Sequence, residues 1–116
     1  MSIEAFLQKV RDGERVAFQD TLSVIAENYE YTPTAFRNGG GEDCVVNEAG
    51  KNEGSCKIFA FARLHALTPE QTLALFGDFY WKDVLEDPEG TGHANIRAFM
   101  KYGWEGIAFE GEALRA

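Results

Sequence analysis

Asn52-Glu53-Gly54-Ser55-Cys56-Lys57-Ile58-Phe59-Ala60-Phe61-Ala62-Arg63-Leu64-His65-Ala66 is the stretch on which the arrangement of the whole chain turns. Its first residues read as a turn and a helix start, and from Ile58 to Ala66 only Arg63 and His65 are polar. A helix that is apolar on nearly every side is buried by neighbours on several sides. The pattern therefore predicts a central helix over about residues 55–66. The same stretch, with its Gly-Ser turn, cysteine and lysine, is also where chemistry is most plausible.

Working outward, Ser2 is a helix cap for Ile3, Phe6, Leu7 and Val10, with Asp12-Gly13 closing the helix. A second stripe, Phe18, Leu22, Ile25 and Tyr29, completes a helical hairpin packed on the central helix. Residues 29–36 are aromatic and β-branched and read as a strand, which Pro33 confines to an edge or a bulge. Residues 38–43 form a glycine-rich loop tip, and residues 44–47 a short returning strand.

Beyond the central helix, Thr68-Pro69-Glu70-Gln71 combines a capping threonine, a first-turn proline and a reciprocal glutamine, so a helix begins there and runs to about Phe76. Residues 79–85 are aromatic and irregular. Residues 93–102 form a helix with Ile96, Phe99 and Met100 inward and Gly103 ending it. Residues 104–109 supply a last strand to the hairpin. The fold class is α+β: about five short helices around a central apolar helix, packed with a small antiparallel sheet, in one domain over residues 1–116.

Lys+Arg 11 against Asp+Glu 19 gives a net charge of −8, which excludes nucleic acid and an anionic membrane surface as partners, since both need a positive footprint. No apolar run reaches a membrane span of roughly 20 residues. Met1-Ser2-Ile3-Glu4 lacks the basic region and apolar core of a secretory signal. Cys44 and Cys56 are too few for a disulfide scaffold, so both are expected reduced, with a bridge between them as the alternative. With neither Cys-x-x-Cys nor His-x-x-x-His, no metal site is expected. No cofactor is implied.

Cys56 lies in the first helical turn, where unpaired N–H groups and the helix dipole favour a thiolate, and Lys57 adds positive charge. The alternative reading is a small buried packing residue. His65 faces away from Cys56 across the helix, which leaves His93 as the candidate base. Asn52, Ser55 and Lys57 are candidates for binding an anion at the helix start, against the plainer role of caps and surface charge. Arg97 shares a flank with His93. Trp104 joins Phe79, Tyr80 and Trp81 as an aromatic supply for a ligand pocket or for closing the core.

These stretches together resemble the HopJ type III effector family. The resemblance is carried by Asp20-Thr21, Val24-Ile25, Tyr31-Thr32-Pro33, Phe36-Arg37-Asn38-Gly39, Asn52 through Ala62, Asn95-Ile96-Arg97-Ala98-Phe99-Met100 and Gly103-Trp104-Glu105-Gly106-Ile107. It implies a bacterial protein and, by the family's name, delivery into a host cell; it brings no reaction and no catalytic residues. Because an amphipathic helix starts near residue 3, where a type III substrate usually keeps a flexible polar segment, the bacterial cytoplasm is the expected location, with translocation as the alternative. The function expected is binding of a small molecule or a protein partner. A thiol enzyme built on Cys56 and a translocated effector acting on a host target are the competing readings.

Overall fold

The computed structural model describes residues 2–116, apart from the Asp43 side chain; Met1, read above as part of an N-terminus without a secretory signal, lies outside them. The chain opens with α1 (Ile3–Arg11) and α2 (Phe18–Asn28), continues through β1 (Glu30–Tyr31), β2 (Phe36–Asn38) and β3 (Val45–Asn47), and enters α3 (Glu53–Leu64). It then forms α4 (Pro69–Ala74), a π-helical segment Phe79–Val84, α5 (Ala94–Tyr102), and the strands β4 (Ile107–Phe109) and β5 (Leu114–Arg115). Among the described residues no helix is long and apolar enough to cross a membrane.

The first hairpin forms as its sequence dictates. Ser2 Oγ accepts from the Ala5 N–H at 3.1 Å, and α1 buries Phe6, Leu7 and Val10. The buried face of α2 is Thr21, Val24 and Ile25, rotated from the expected stripe, so that Phe18, Leu22 and Tyr29 are only half-buried. Thr21 is admitted because its hydroxyl donates to the Leu75 carbonyl at 2.8 Å, which removes the penalty for burying it.

α3 is the central helix, starting and ending slightly earlier than residues 55–66. Ile58, Phe59, Phe61 and Ala62 are completely enclosed. Phe59 meets the rings of Phe36, Phe76, Phe99 and Trp104, with centroids 4.9 to 6.5 Å apart. Phe61 meets Phe6 and Tyr29. Burying one such ring contributes about 1.5–3 kcal/mol, so this helix holds the layers together.

The strand expected over residues 29–36 breaks at Pro33 into two strands of different sheets. Proline has no N–H for a ladder. Before it, β1 pairs antiparallel with β5, a strand not foreseen from the sequence. After it, β2 becomes the middle of a sheet ordered β3-β2-β4, antiparallel throughout. The hairpin and its third strand are thus as expected, but Asn38, assigned to a loop, is the fully buried last residue of β2. The last strand is also shorter than residues 104–109, because Gly103–Gly106 wind into a 3-10 turn.

α4 starts with the reciprocal cap its sequence specifies: Thr68 Oγ1 accepts from the Gln71 N–H at 3.2 Å, and Gln71 Oε1 from the Thr68 N–H at 2.9 Å. α5 buries Asn95, Ile96, Ala98 and Phe99, whereas Met100, expected inward, is exposed. Asn95 takes an inward position, and this turns the buried face away from Met100.

Candidate functional site

The starts of α3 and α5 open onto one cleft of about 350 Å³. Asn52, Gly54 and Ser55 line one side, His93, Ala94 and Asn95 the other, and Phe18, Phe76 and Phe79 make the apolar wall. Gly54 lets the Phe18 ring approach closely: a Cβ there would lie 2.9 Å from that ring and push it aside. The Phe18 and Phe79 rings meet edge to face, 4.8 Å between centroids.

Both helix starts are unusual in the same way. Asn52 (φ 50°) and His93 (φ 56°) occupy the cap positions in the left-handed region, and neither side chain caps its helix. Non-glycine residues rarely adopt that conformation, and caps are normally extended, as Ser2 and Thr68 are in α1 and α4. The first backbone bond within α3 is from the Cys56 N–H to Asn52 O, and within α5 from the Arg97 N–H to His93 O. The earlier N–H groups of each helix therefore have no acceptor within it, and they lie where the two helices meet the cleft.

The cap side chains are committed elsewhere. His93 Nε2 lies 3.0 Å from Asp83 Oδ2, and its ring leans on Phe79 at 5.1 Å. Phe79 and Asp83 both belong to the π-helical segment, whose wide turn presents them to the same ring. Asn52 Nδ2 donates to Asn47 Oδ1 at 2.7 Å. That oxygen also accepts from Asn95 Nδ2 at 2.9 Å. Asn95 Oδ1 in turn accepts from Asn47 Nδ2 at 3.1 Å and from Asn38 Nδ2 at 3.0 Å. Asn38, Asn47 and Asn95 are buried, so a carboxamide network inside the protein backs the cleft.

The residues singled out in the sequence divide. Asn52, Ser55 and His93 come together in the cleft. Lys57 does not: its Nζ sits over the Tyr31 ring, 4.7 Å from the centroid. Arg97 is used structurally, its Nε donating to Gly92 O at 2.6 Å and a terminal nitrogen to Asp87 O at 2.9 Å. Trp104 closes the core, with Nε1 donating to Leu67 O at 3.0 Å and its ring edge-on to Phe99. Cys44 and Cys56 are both unpaired thiols, so the alternative of a bridge between them is not what forms.

Cys56 departs most from the reactive reading. It is 1% exposed, and its Sγ faces the Thr34 carbonyl at 3.5 Å. Burial pushes the thiol's pKa up, and the Glu53 charge adds to this, outweighing the lowering contributions of the Thr34 contact, Tyr31 and Lys57. A reactive thiolate needs the reverse: access and a lowered pKa. The helix start stabilises negative charge, but the apolar packing that makes α3 central removes the water the thiolate would need. His65 sits at the core edge with one hydrogen bond, to the Tyr29 hydroxyl at 2.7 Å.

Asn38, Asn47 and Asn95 were not recognised from the sequence as site residues. Two of them, with Asn52, fall in the blocks that carry the family resemblance, and that was the available signal. A wider groove, about 560 Å³, runs between Ala60, Arg63 and Leu64 of α3 and residues 109–114. Among the described residues no group of three or more His, Cys, Asp or Glu side chains could hold a metal ion.

No curated protein matches the chain. A solved structure described as "unknown function protein VPA0580" shares the fold with a TM-score of 0.94 and 50% sequence identity, over 100% of this chain and 94% of that one. The family model described as "HopJ type III effector protein" matches residues 3–114. The chain therefore belongs to the HopJ type III effector protein family.

Proposed function

We propose that this HopJ-family protein acts by binding rather than by catalysis, and that its ligand seat is the cleft between the starts of α3 and α5. The ligand class is a small molecule bearing a carboxylate or phosphate group. The observation that carries this reading is that two uncapped helix starts open on one concavity. Bare N–H groups and the positive end of the helix dipole suit an anion. Ser55 adds a hydroxyl donor, and Phe18 and Phe79 offer apolar surface to the rest of the molecule.

Each helix end contributes about 0.3–1 kcal/mol toward an anion, and up to about 2 kcal/mol where partly buried. With the hydrogen bonds they donate, an isolated anion is expected to bind at about millimolar strength. The net charge of −8 opposes this at long range, but at physiological salt it is screened beyond about 8 Å. The wider groove lacks this convergence, since it is lined by the second half of α3 rather than by a helix start, and its lining includes Glu110 and Glu112.

Titration with inorganic sulfate, followed by amide NMR, tests the seat. Shifts concentrated at Gly54, Ser55, Ala94 and Asn95 are expected. Ser55→Asp should weaken binding at least about tenfold while leaving the fold intact, because a first-turn carboxylate competes for the same amides and suits a helix start. Shifts scattered over the surface would refute the seat. The family's description as a type III effector supports delivery into a host cell. A translocation reporter fused to the full chain tests that part, and no signal from a competent strain would confine the protein to the bacterial cytoplasm.

A further inference from the structure

We propose that Asn47 is the positioning residue of the seat, a single carboxamide that locks the starts of α3 and α5 into one arrangement. This deepens the binding reading above and rests on it for its functional meaning. The chemistry is local. Asn47 Oδ1 has two lone pairs and receives two N–H groups, from Asn52 at the cap of α3 and from Asn95 in the first turn of α5. Its Nδ2 returns a bond to Asn95 Oδ1, which fixes the plane of the amide. Asn47 itself is 1% exposed and stands at the end of β3, in register with Phe36 of β2. The oxygen to which both helix starts are tied is therefore anchored in the sheet.

No other residue of the network has this reach. The Asn38 side chain bonds to Asn95 alone, donating to its side-chain and backbone oxygens. Asn52 and Asn95 each sit on only one of the two helices. Two donor sets aimed at one ligand are useful only when their separation is fixed before binding, since ordering them afterwards weakens affinity. Asn47 does not line the cleft, so its role is exerted through its neighbours.

Amide hydrogen exchange on the ligand-free full chain tests the clamp without any ligand. The probes are the first hydrogen-bonded amides, Cys56 in α3 and Arg97 in α5, each measured relative to Phe61 in the helix centre. Asn47→Ala should speed exchange about tenfold at both probes, whereas Asn38→Ala should speed Arg97 alone. An effect of Asn47→Ala at one probe or neither, or the same two-ended loss in Asn38→Ala, overturns the proposal. If Asn47→Ala does not fold, Asn52→Ala cuts only the exposed limb: Cys56 should then exchange faster with Arg97 unchanged, and an unchanged Cys56 refutes the clamp. Sulfate titration separates the two readings. No sulfate binding by the native chain refutes the seat and leaves the clamp to the exchange data; native-like sulfate affinity in Asn47→Ala refutes the clamp alone.

Discussion

α3 is held at its two ends by opposite means. Its centre and C-terminal half are fixed by shape: Phe59 and Phe61 are fully buried among seven ring partners, of which His65 and Tyr29 also share a hydrogen bond. Its start is fixed by direction: the cap residue is left-handed, its own side chain does not cap, and it is tied instead to a buried carboxamide. Ring packing tolerates small displacements and gains from area. A hydrogen-bonded network specifies positions and is costly when a member is lost. The aromatic end gains from buried area, and the polar start holds a left-handed cap where α1 and α4 begin from ordinary extended ones.

The largest effect should come from breaking the aromatic end. Phe59→Ala is expected to cost about 3–5 kcal/mol, read from urea unfolding, because a large ring leaves a void at the meeting point of β2, α5 and the segment after α4. A loss below about 1 kcal/mol would mean the core collapses around the site and that Phe59 is not its centre. Next comes the polar end. Asn95→Ala removes three bonds of the buried network, from Asn38 Nδ2, from Asn47 Nδ2 and to Asn47 Oδ1, for about 2 kcal/mol. The contrast sharpens if Asn95→Ala perturbs the amides at the start of α3, across the network, while Phe59→Ala lowers stability throughout.

The same contrast separates what the sequence made legible from what it did not. The centre of α3 was readable because hydrophobic periodicity reports burial, and Ile58, Phe59, Phe61 and Ala62 are apolar. The caps of α1 and α4 were readable because a side-chain acceptor and the N–H that donates to it lie within three residues of each other. The asparagine network was not readable. Its bonds join residues up to 57 positions apart, and a buried asparagine looks in sequence like one in a loop, which is where Asn38 was placed. The sequence marks Asn52 and Ser55 as helix-start residues and His93 as a candidate base, but that two helix starts meet in one cleft is a tertiary fact. Lys57, offered on the same helix-start grounds, sits instead over the Tyr31 ring, while Arg97 and Trp104, offered for a shared flank and as an aromatic supply, lie outside this cleft and anchor a loop and pack on the core. β5 has only two residues and no pattern to read.

A smaller effect concerns acid. Burial, aided by the Arg11 charge, lowers the pKa of His65 from its ordinary value of 6.5. The folded state thus resists a proton that the unfolded chain accepts. This contribution to stability is fully present above the ordinary histidine value. It is lost as pH falls through that value towards the lower folded one. Urea midpoints at about pH 7.5 and about pH 5.5 should show a decline in the native chain that His65→Gln reduces, since glutamine can still accept from the Tyr29 hydroxyl without titrating. An identical decline in both would place the acid sensitivity elsewhere.

The smallest change in stability should come from Asn52→Gly, which makes it the most discriminating test of the polar end. Glycine enters the left-handed region without the steric cost that asparagine bears there, yet it removes the bond to Asn47 Oδ1. The relieved strain and the lost hydrogen bond are each about 1 kcal/mol and opposite in sign, so unfolding should shift by less than about 0.5 kcal/mol. Were Asn52 merely a turn residue, sulfate affinity would be equally indifferent. Since its amide instead ties the start of α3 to that of α5 through Asn47, affinity should fall several-fold while stability stays put. Stability and binding falling together would instead make the left-handed cap a folding device, and the two ends of α3 would then differ in chemistry but not in purpose.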